Sequence, residues 1–381
     1  MADTTTVKPD LNFIRELKSA GGDTLKRCYQ CATCSVICPQ SPDHKPFPRK
    51  EMIWAGWGLK EKLVADPDIW LCHHCGDCTA YCPRGAKPGE VLGAARKQAI
   101  LHFAPVTTLA RAVNDRGAML KVLALPVVIL LIAALITPVL NHALPKSLYH
   151  EGAFGMFINT WLVDGIFTSA ALFALWSAYM GITSMWKAMK ANSDQAVSGP
   201  VGQGLIAVIR DILSHTKFKD CDVNRERSTA HLLTFYAFIG LAVTTTLGFI
   251  IMYFTGEVSI LGRMLFILMK FIGNISAIAL MAGTVLLVVN RKSKDEKSGL
   301  GTYFDWGFLL VVLLVGFTGF LAQLVRFMGA DIHDPNFLAK AIYFIHLVCV
   351  FYLFAYAPYS KFAHLFYRTT ALVFARVSNR S

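Results

Sequence analysis

Six long apolar runs constrain this chain more than any other feature, because a helix needs about 20 mostly apolar residues to cross a bilayer. They are Leu120–Leu140, Trp161–Met185, Leu232–Tyr253, Ile260–Val289, Trp306–Val325 and Leu338–Phe366. Each is too long and too continuously apolar for an ordinary core helix, so the sequence predicts six transmembrane helices. The fourth and sixth exceed the required length, which leaves their ends to tilt or to lie at the interface. Composition agrees: 54% of the 381 residues are hydrophobic and 16% charged, against about a quarter charged in soluble domains. The 12% aromatic content excludes a disordered chain.

The net charge of +12 would point to nucleic acid if it were spread over a soluble surface. It is not. Lys187, Lys190, Arg210, Lys217, Lys219, Arg225 and Arg227 lie between the second and third runs. Arg291, Lys292, Lys294 and Lys297 follow the fourth, and Lys361, Arg368, Arg376 and Arg380 close the sequence. The opposite loops offer little beyond Lys146. The positive-inside rule then places both termini on the cytoplasmic face of the inner membrane. The opening MADTTTVKPDLNF has no apolar h-region, so no secretory signal is expected. Residues 1–110 carry 14 Lys+Arg and 11 Asp+Glu and are expected to form a cytoplasmic domain. Residues 111–381 are expected to form the membrane domain. The joint falls around His102 to Asp115, after the helix-compatible stretch Glu90–Ala99. The fold class expected is mainly α.

Eight of the ten cysteines lie between Cys28 and Cys82. They form two copies of one pattern, C-x2-C-x2-C-x3-C-P: Cys28, Cys31, Cys34, Cys38, Pro39 and Cys72, Cys75, Cys78, Cys82, Pro83. This is the run used by two-cluster ferredoxins. Three thiolates on a tight loop reach three corners of a cubane, and the fourth turns away to the other cluster. The expected crossed ligand sets are Cys28, Cys31, Cys34 and Cys82 for one [4Fe–4S], and Cys72, Cys75, Cys78 and Cys38 for the other. A pair of zinc sites fits less well, since zinc modules present two cysteines per knuckle. Disulfides are disfavoured in a reducing cytoplasm. His73 and His74 are read as variable loop positions, Cys221 as a loop residue and Cys349 as a packing residue.

Ionisable residues within membrane helices are functional candidates. His346 and His364 lie on the sixth run, 18 residues apart, which is five turns and roughly 27 Å at 1.5 Å per residue. One helix would thus offer one haem ligand near each membrane surface, with Pro358 between them as a kink site. His231 opens the third run at the depth of His364 and is its expected partner. For His346 the first choice is His142, with His150 and His333 as alternatives. No C-x-x-C-H motif is present, so such haems would be b-type. Packing or interfacial histidines are the bland alternative. Lys270, with Asn274 one turn on, is a candidate contact to a quinone carbonyl or a haem propionate, against simple snorkelling. Arg263, Arg326 and Asp164 are read as interfacial anchors or helix-pair contacts, Asp164 being the one that could instead carry protons.

Taken together, the tandem cysteine runs and the histidine-bearing helix resemble the C-subunit family of the quinone-interacting membrane-bound oxidoreductase complexes of sulfate reducers. That family fuses a module similar to the C subunit of heterodisulfide reductase with a cytochrome b module similar to the E subunit. The membrane half is also similar to the gamma subunit of respiratory nitrate reductase. There the last helix carries two haem-ligating histidines, matched here by His346 and His364, and an earlier helix supplies both partners. Here only His231 matches, and the position ten residues on is Leu241. That family's lysine beside its quinol site lends weight to Lys270.

The resemblance implies two [4Fe–4S] clusters, two haems b and menaquinone. It further implies flavin-bearing partners related to the A subunit of heterodisulfide reductase, and electron delivery towards adenylylsulfate reductase. The chain has no C-C-G signature, no G-x-G-x-x-G loop and no P-loop. It reads as a relay needing partners for terminal chemistry. The rival readings are a heterodisulfide reductase membrane subunit using methanophenazine and a membrane-anchored ferredoxin without haem. A transporter is weaker, since no inverted repeat is apparent.

Overall fold

The computed structural model describes residues 8–143, 157–193, 196–215, 220–223, 225–256, 259–293, 301–327 and 337–380. Among these residues the chain is helical and contains no β-strand. The first part is built from short helices: α1 (Leu11–Leu17), α2 (Thr33–Val36), α3 (Arg49–Gly56), α4 (Lys60–Val64), α5 (Asp68–Leu71) and α6 (Asp77–Ala80). They gather on the longer α7 (Pro88–Phe103), which α8 (Thr107–Asn114) follows. The Asp10 carboxylate caps α1 by accepting the Phe13 N–H at 2.9 Å, which satisfies one otherwise orphaned donor.

The six expected apolar helices are present: α9 (Met119–Ala143), α10 (Thr160–Asn192), α12 (Arg227–Ile250), α13 (Ile260–Lys292), α14 (Tyr303–Phe327) and α15 (Phe337–Ala355). All six are long and apolar enough to cross a membrane. The short α11 (Val201–Ser214) lies between α10 and α12. The crossing of α12 on α13 is backbone-close. A Cβ at Gly240 would lie 2.0 Å from Ser276 Oγ, and one at Gly283 would lie 2.6 Å from Thr234 Oγ1. Small residues permit such approach where lipid gives helices no hydrophobic reason to associate. The Asp164 side chain accepts a hydrogen bond from the Tyr253 hydroxyl. Asp164 is thus a contact between helices, and the Arg326 side chain lies outside the described residues.

The sixth expected helix is corrected. It does not run from Leu338 to Phe366: α15 ends at Ala355, two 3-10 turns follow at Ala357–Tyr359 and Lys361–Ala363, and α16 (His364–Val377) begins afresh. Pro358 has no N–H and crowds the turn before it, so it ends the helix where a kink was expected. Ser360 then caps the next turn by accepting the Phe362 N–H at 3.2 Å. His346 and His364 therefore belong to two different helices.

This break carries the chain back under the N-terminal part, whose core is completed from the end of the sequence. Tyr367, Ala371, Phe374 and Ala375, one face of α16 at helical spacing, are buried together with Phe13, Leu17, Trp70, Leu92, Met185 and Met189. The Tyr367 ring stacks on Trp70 with centroids 5.4 Å apart, and Phe374 meets Trp186 edge-on at 5.3 Å. The expected division near residue 110 separates the chain in sequence, but residues on both sides of it share this core.

Beyond α16 the Arg380 guanidinium forks onto Asp68, Nε to Oδ1 at 2.7 Å and Nη2 to Oδ2 at 2.5 Å. Lys50 Nζ completes the cluster, 2.7 Å from Asp66, 2.9 Å from Asp68 and 3.1 Å from Glu51. Three buried carboxylates thus share two cations. Burial and the neighbouring Asp66 charge push the Glu51 carboxyl up to about 8, against the pull of Lys50.

Two outcomes follow from this cluster. Arg380→Ala leaves three buried carboxylates to Lys50 alone and is expected to cost about 3–5 kcal/mol, as for broken buried ion pairs, read as a lower Tm in detergent. Glu51 binds its proton more tightly folded than unfolded, so stability falls as pH rises from its ordinary 4.5 through about 8. Glu51→Gln should therefore raise Tm above the parent at pH 8–9 and match it near pH 4–5, as follows from that linkage; an unchanged gap across that range would contradict it.

Candidate functional site

The two cysteine runs repeat not only a spacing but a backbone. In the first, Gln30 and Ala32 have φ of 60° and 69°; in the second, the matching His74 and Gly76 have 55° and 91°. Two left-handed residues per run curl each loop around a common centre, and a short helix (α2, α6) follows each. A non-glycine residue in this region is disfavoured, so Ala32, Gln30 and His74 mark loops held in shape by what they surround.

Cys28, Cys31, Cys34 and Cys82 line one small cavity. Cys34 is pushed up to about 11 by burial and by the Cys28, Cys31 and Cys82 thiols. Cys38 is pushed up to about 12 by burial and by Cys72 and Cys75. Cys78 is raised by burial and by Cys72, Cys75 and Cys38. Cys82 of the second run thus joins Cys28, Cys31 and Cys34 of the first around one cavity, and Cys38 of the first run feels Cys72 and Cys75 of the second. Thiols held protonated by burial and crowding are released when a cation takes the proton's place. Backbone N–H groups already point at sulfur, from His74 to Cys72 Sγ and from Ala86 to Cys82 Sγ, both at 3.3 Å. The donor set fits [4Fe–4S] clusters.

The second loop is fastened by arginines from three helices, α7, α12 and α16. Arg96 donates to the carbonyls of Ile69 at 3.2 Å and Cys72 at 3.0 Å, and to His74 Nδ1 at 2.7 Å. Arg227, opening α12, donates to the His74 carbonyl at 3.1 Å, and Arg368 of α16 to that of Cys72 at 3.4 Å. Because arginine only donates, His74 Nδ1 accepts, and its Nε2–H faces Glu90 Oε1 at 3.1 Å. Burial holds the imidazole neutral, pushed down to about 4. His74 is therefore an organiser of the loop, a role that only the order of neighbours in space reveals.

Against this loop opens a cavity of about 1020 Å³, lined by His231, His346 and His364 with Arg96, Arg227, Arg291, Lys361 and Arg368. Its size is that of a large ligand pocket. His346 on α15 has Nδ1 3.0 Å from Thr318 Oγ1, whose own hydroxyl proton goes to the Leu314 carbonyl at 2.6 Å. His346 Nδ1 is then the donor, which leaves Nε2 with its lone pair. Gly319 makes room: a Cβ there would lie 2.9 Å from the His346 ring. His364 Nδ1 lies 2.7 Å from the Lys361 carbonyl, an acceptor only, so again Nε2 keeps its lone pair. An imidazole oriented through Nδ1–H to an oxygen is the arrangement of metal-ligating histidine. The His231 ring lies 5.3 Å from that of His215, a histidine that no sequence pattern singles out because it falls in a loop.

Two of the expected site residues lie away from this cavity. His142 is exposed at the end of α9 and does not line the cavity. α9 packs through Leu130 and Ala133 on the Leu347 and Val348 side of α15, whereas His346 turns to α14. His150 and His333 lie outside the described residues. Lys270 also misses the cavity, its ammonium resting 5.4 Å over the Phe266 ring of its own helix. From α13 it is Asn274 that lines the cavity, its side-chain oxygen accepting from Gln323 Nε2 at 2.5 Å. Cys349 packs among apolar residues.

Residues 24–86 match the family model of the 4Fe-4S dicluster domain. The chain is 40% identical over 91 residues to the C subunit of the H2:CoB-CoM heterodisulfide,ferredoxin reductase of Methanothermobacter marburgensis, which is 24% of this chain and 49% of that protein. It is 38% identical over 82 residues to a protein of Archaeoglobus profundus described as like the heterodisulfide reductase C subunit, covering 21% and 44%. It is 31% identical over 107 residues to the iron-sulfur C subunit of the CoB–CoM heterodisulfide reductase of Methanopyrus kandleri, covering 26% and 56%. The chain spans about half the length of these curated relatives. The N-terminal part is thus a 4Fe-4S dicluster domain of the kind found in heterodisulfide reductase C subunits, followed by six apolar helices. No solved structure matches the chain.

The grouping of the thiols can be tested by crossing. Cys82→Ala is expected to remove the cluster of the first run and Cys38→Ala that of the second, each leaving the other cluster's EPR signal in place. The reverse pairing would contradict the grouping.

Proposed function

We propose that the chain is the membrane electron-transfer subunit of a quinone-dependent oxidoreductase complex, linking the menaquinone pool to flavoprotein partners on the cytoplasmic side. The observation that carries this reading is the pair His346 and His364. Each is anchored through Nδ1, and each leaves Nε2 on a cavity that reaches the second cysteine loop. Cys28, Cys31, Cys34 and Cys82 would hold one [4Fe–4S] cluster, and Cys72, Cys75, Cys78 and Cys38 the other. His231 with His364 would hold one haem b, and His346 a second. When bound, these groups supply one-electron carriers spaced along the chain.

The protein's own residues do the rest. Arg96, Arg227 and Arg368 put positive charge between the cavity and the second cluster, which favours the anionic side chains of a haem and the added negative charge of reduction. Asn274 and Gln323 offer a donor and an acceptor where a quinone headgroup would enter from the far half of the bilayer. The basic loops favour an inner-membrane orientation with both termini and the cluster domain in the cytoplasm.

Similarity to heterodisulfide reductase C subunits supports partners related to the flavin-bearing A subunit of that system. The order of modules, dicluster first and histidine-bearing bundle second, supports the branch that serves adenylylsulfate reductase in sulfate reduction. The N-terminal similarity by itself also favours a second reading, a membrane component of a heterodisulfide reductase-type complex.

A pyridine haemochrome assay tests the proposal. Two haems b per chain are expected, one of them lost in His346→Ala. Thr318→Val removes the acceptor that orients His346 and should weaken that haem by roughly 10–100-fold, with Thr318→Ser retaining it. A chain free of haem would instead be a tethered ferredoxin.

A further inference from the structure

The loop that enters α12 lies on the second cysteine run. Asp77, between Cys75 and Cys78, is 3% exposed, and its carboxylate accepts the Val223 N–H at 2.9 Å and the Asp222 N–H at 3.2 Å. The Tyr81 hydroxyl donates to Asp222 Oδ2 at 3.1 Å from the same side. These bonds link positions about 145 residues apart, and they fix the residue between the loop's acidic pair, Asp220 and Asp222. That residue is Cys221, 2% exposed. Its sulfur, the Cys75 sulfur and an Asp77 carboxylate oxygen all lie within 4.8 Å of one another.

A fifth thiol therefore stands beside a run that already offers a full set of four. It lies outside the region matched by the dicluster family model, so the membrane half of the chain supplies it. A thiol in that position has a defined use. Each electron accepted by a cluster adds negative charge to its thiolate sulfurs, and a hydrogen bond to one of them stabilises the reduced form more than the oxidised one. Asp77 would act in the opposite sense, but the two backbone N–H groups partly offset its charge.

We propose that Cys221 is a positioning residue for the second cluster, its S–H donating to the Cys75 sulfur and raising that cluster's reduction potential. This rests on the cluster assignment given above.

The test is an EPR-monitored redox titration of the purified full-length protein with iron analysis, comparing the parent with Cys221→Ala and Cys221→Ser. With iron content unchanged, Cys221→Ala should lower the midpoint of one cluster and leave the other where it was. Cys221→Ser, which keeps a donor, should return the midpoint towards the parent value. An unshifted midpoint at full iron content would overturn the inference. Loss of a cluster in both variants would overturn it differently, by making Cys221 a ligand. A parent protein holding the iron of one cluster in place of two would overturn the cluster assignment itself.

Discussion

Three guanidiniums meeting two carbonyls hold the molecule together where its halves join. Arg96 comes from the helix under the dicluster domain, Arg227 from the start of a membrane helix and Arg368 from the C-terminal helix, and all three converge on the carbonyls of Cys72 and His74. A buried guanidinium costs free energy unless its donors are used, and a charged donor to an oxygen is stronger than a neutral one. Arg368 is pushed down to about 10, first by burial and then by the neighbouring Arg96. The arrangement places cations where the dicluster domain faces the large cavity, so the same contacts that join the halves also set the electrostatics between them.

The C-terminal helix makes the seam possible. Had the last apolar run continued unbroken to Phe366, His364 would have lain along one membrane helix with His346, and the dicluster core would lack Tyr367 and Phe374. The stop at Ala355 turns the chain sideways. α16 then covers Trp70, and beyond it Arg380 is locked on Asp68. Each buried aromatic of this kind contributes roughly 1.5–3 kcal/mol, so the 14-residue C-terminal helix stabilises the dicluster domain at the other end of the chain.

Periodic features are legible in the sequence. The six apolar helices, the two cysteine runs and the histidines His231, His346 and His364 that share a cavity can be named from spacing and residue type. Residues whose role depends on a neighbour far along the chain cannot. His74 has the look of loop filler until Arg96 and Glu90 stand on either side of it. Asn274 is overshadowed by Lys270 because a charge draws attention that an amide does not. His142 has a suitable depth, yet depth says nothing of which side of α15 a residue faces.

By itself the sequence determined what repeats locally: hydrophobic length decides which segments can cross a bilayer, and cysteine spacing decides which thiols can curl around one centre. Both are properties of short stretches, fixed by helix rise and loop reach. Tertiary structure alone decided the rest: that the chain breaks at Pro358, that the end of the sequence completes the beginning's core, and that Cys221 comes to lie beside Cys75. Those outcomes depend on packing between segments many residues apart, where no local period records the partner.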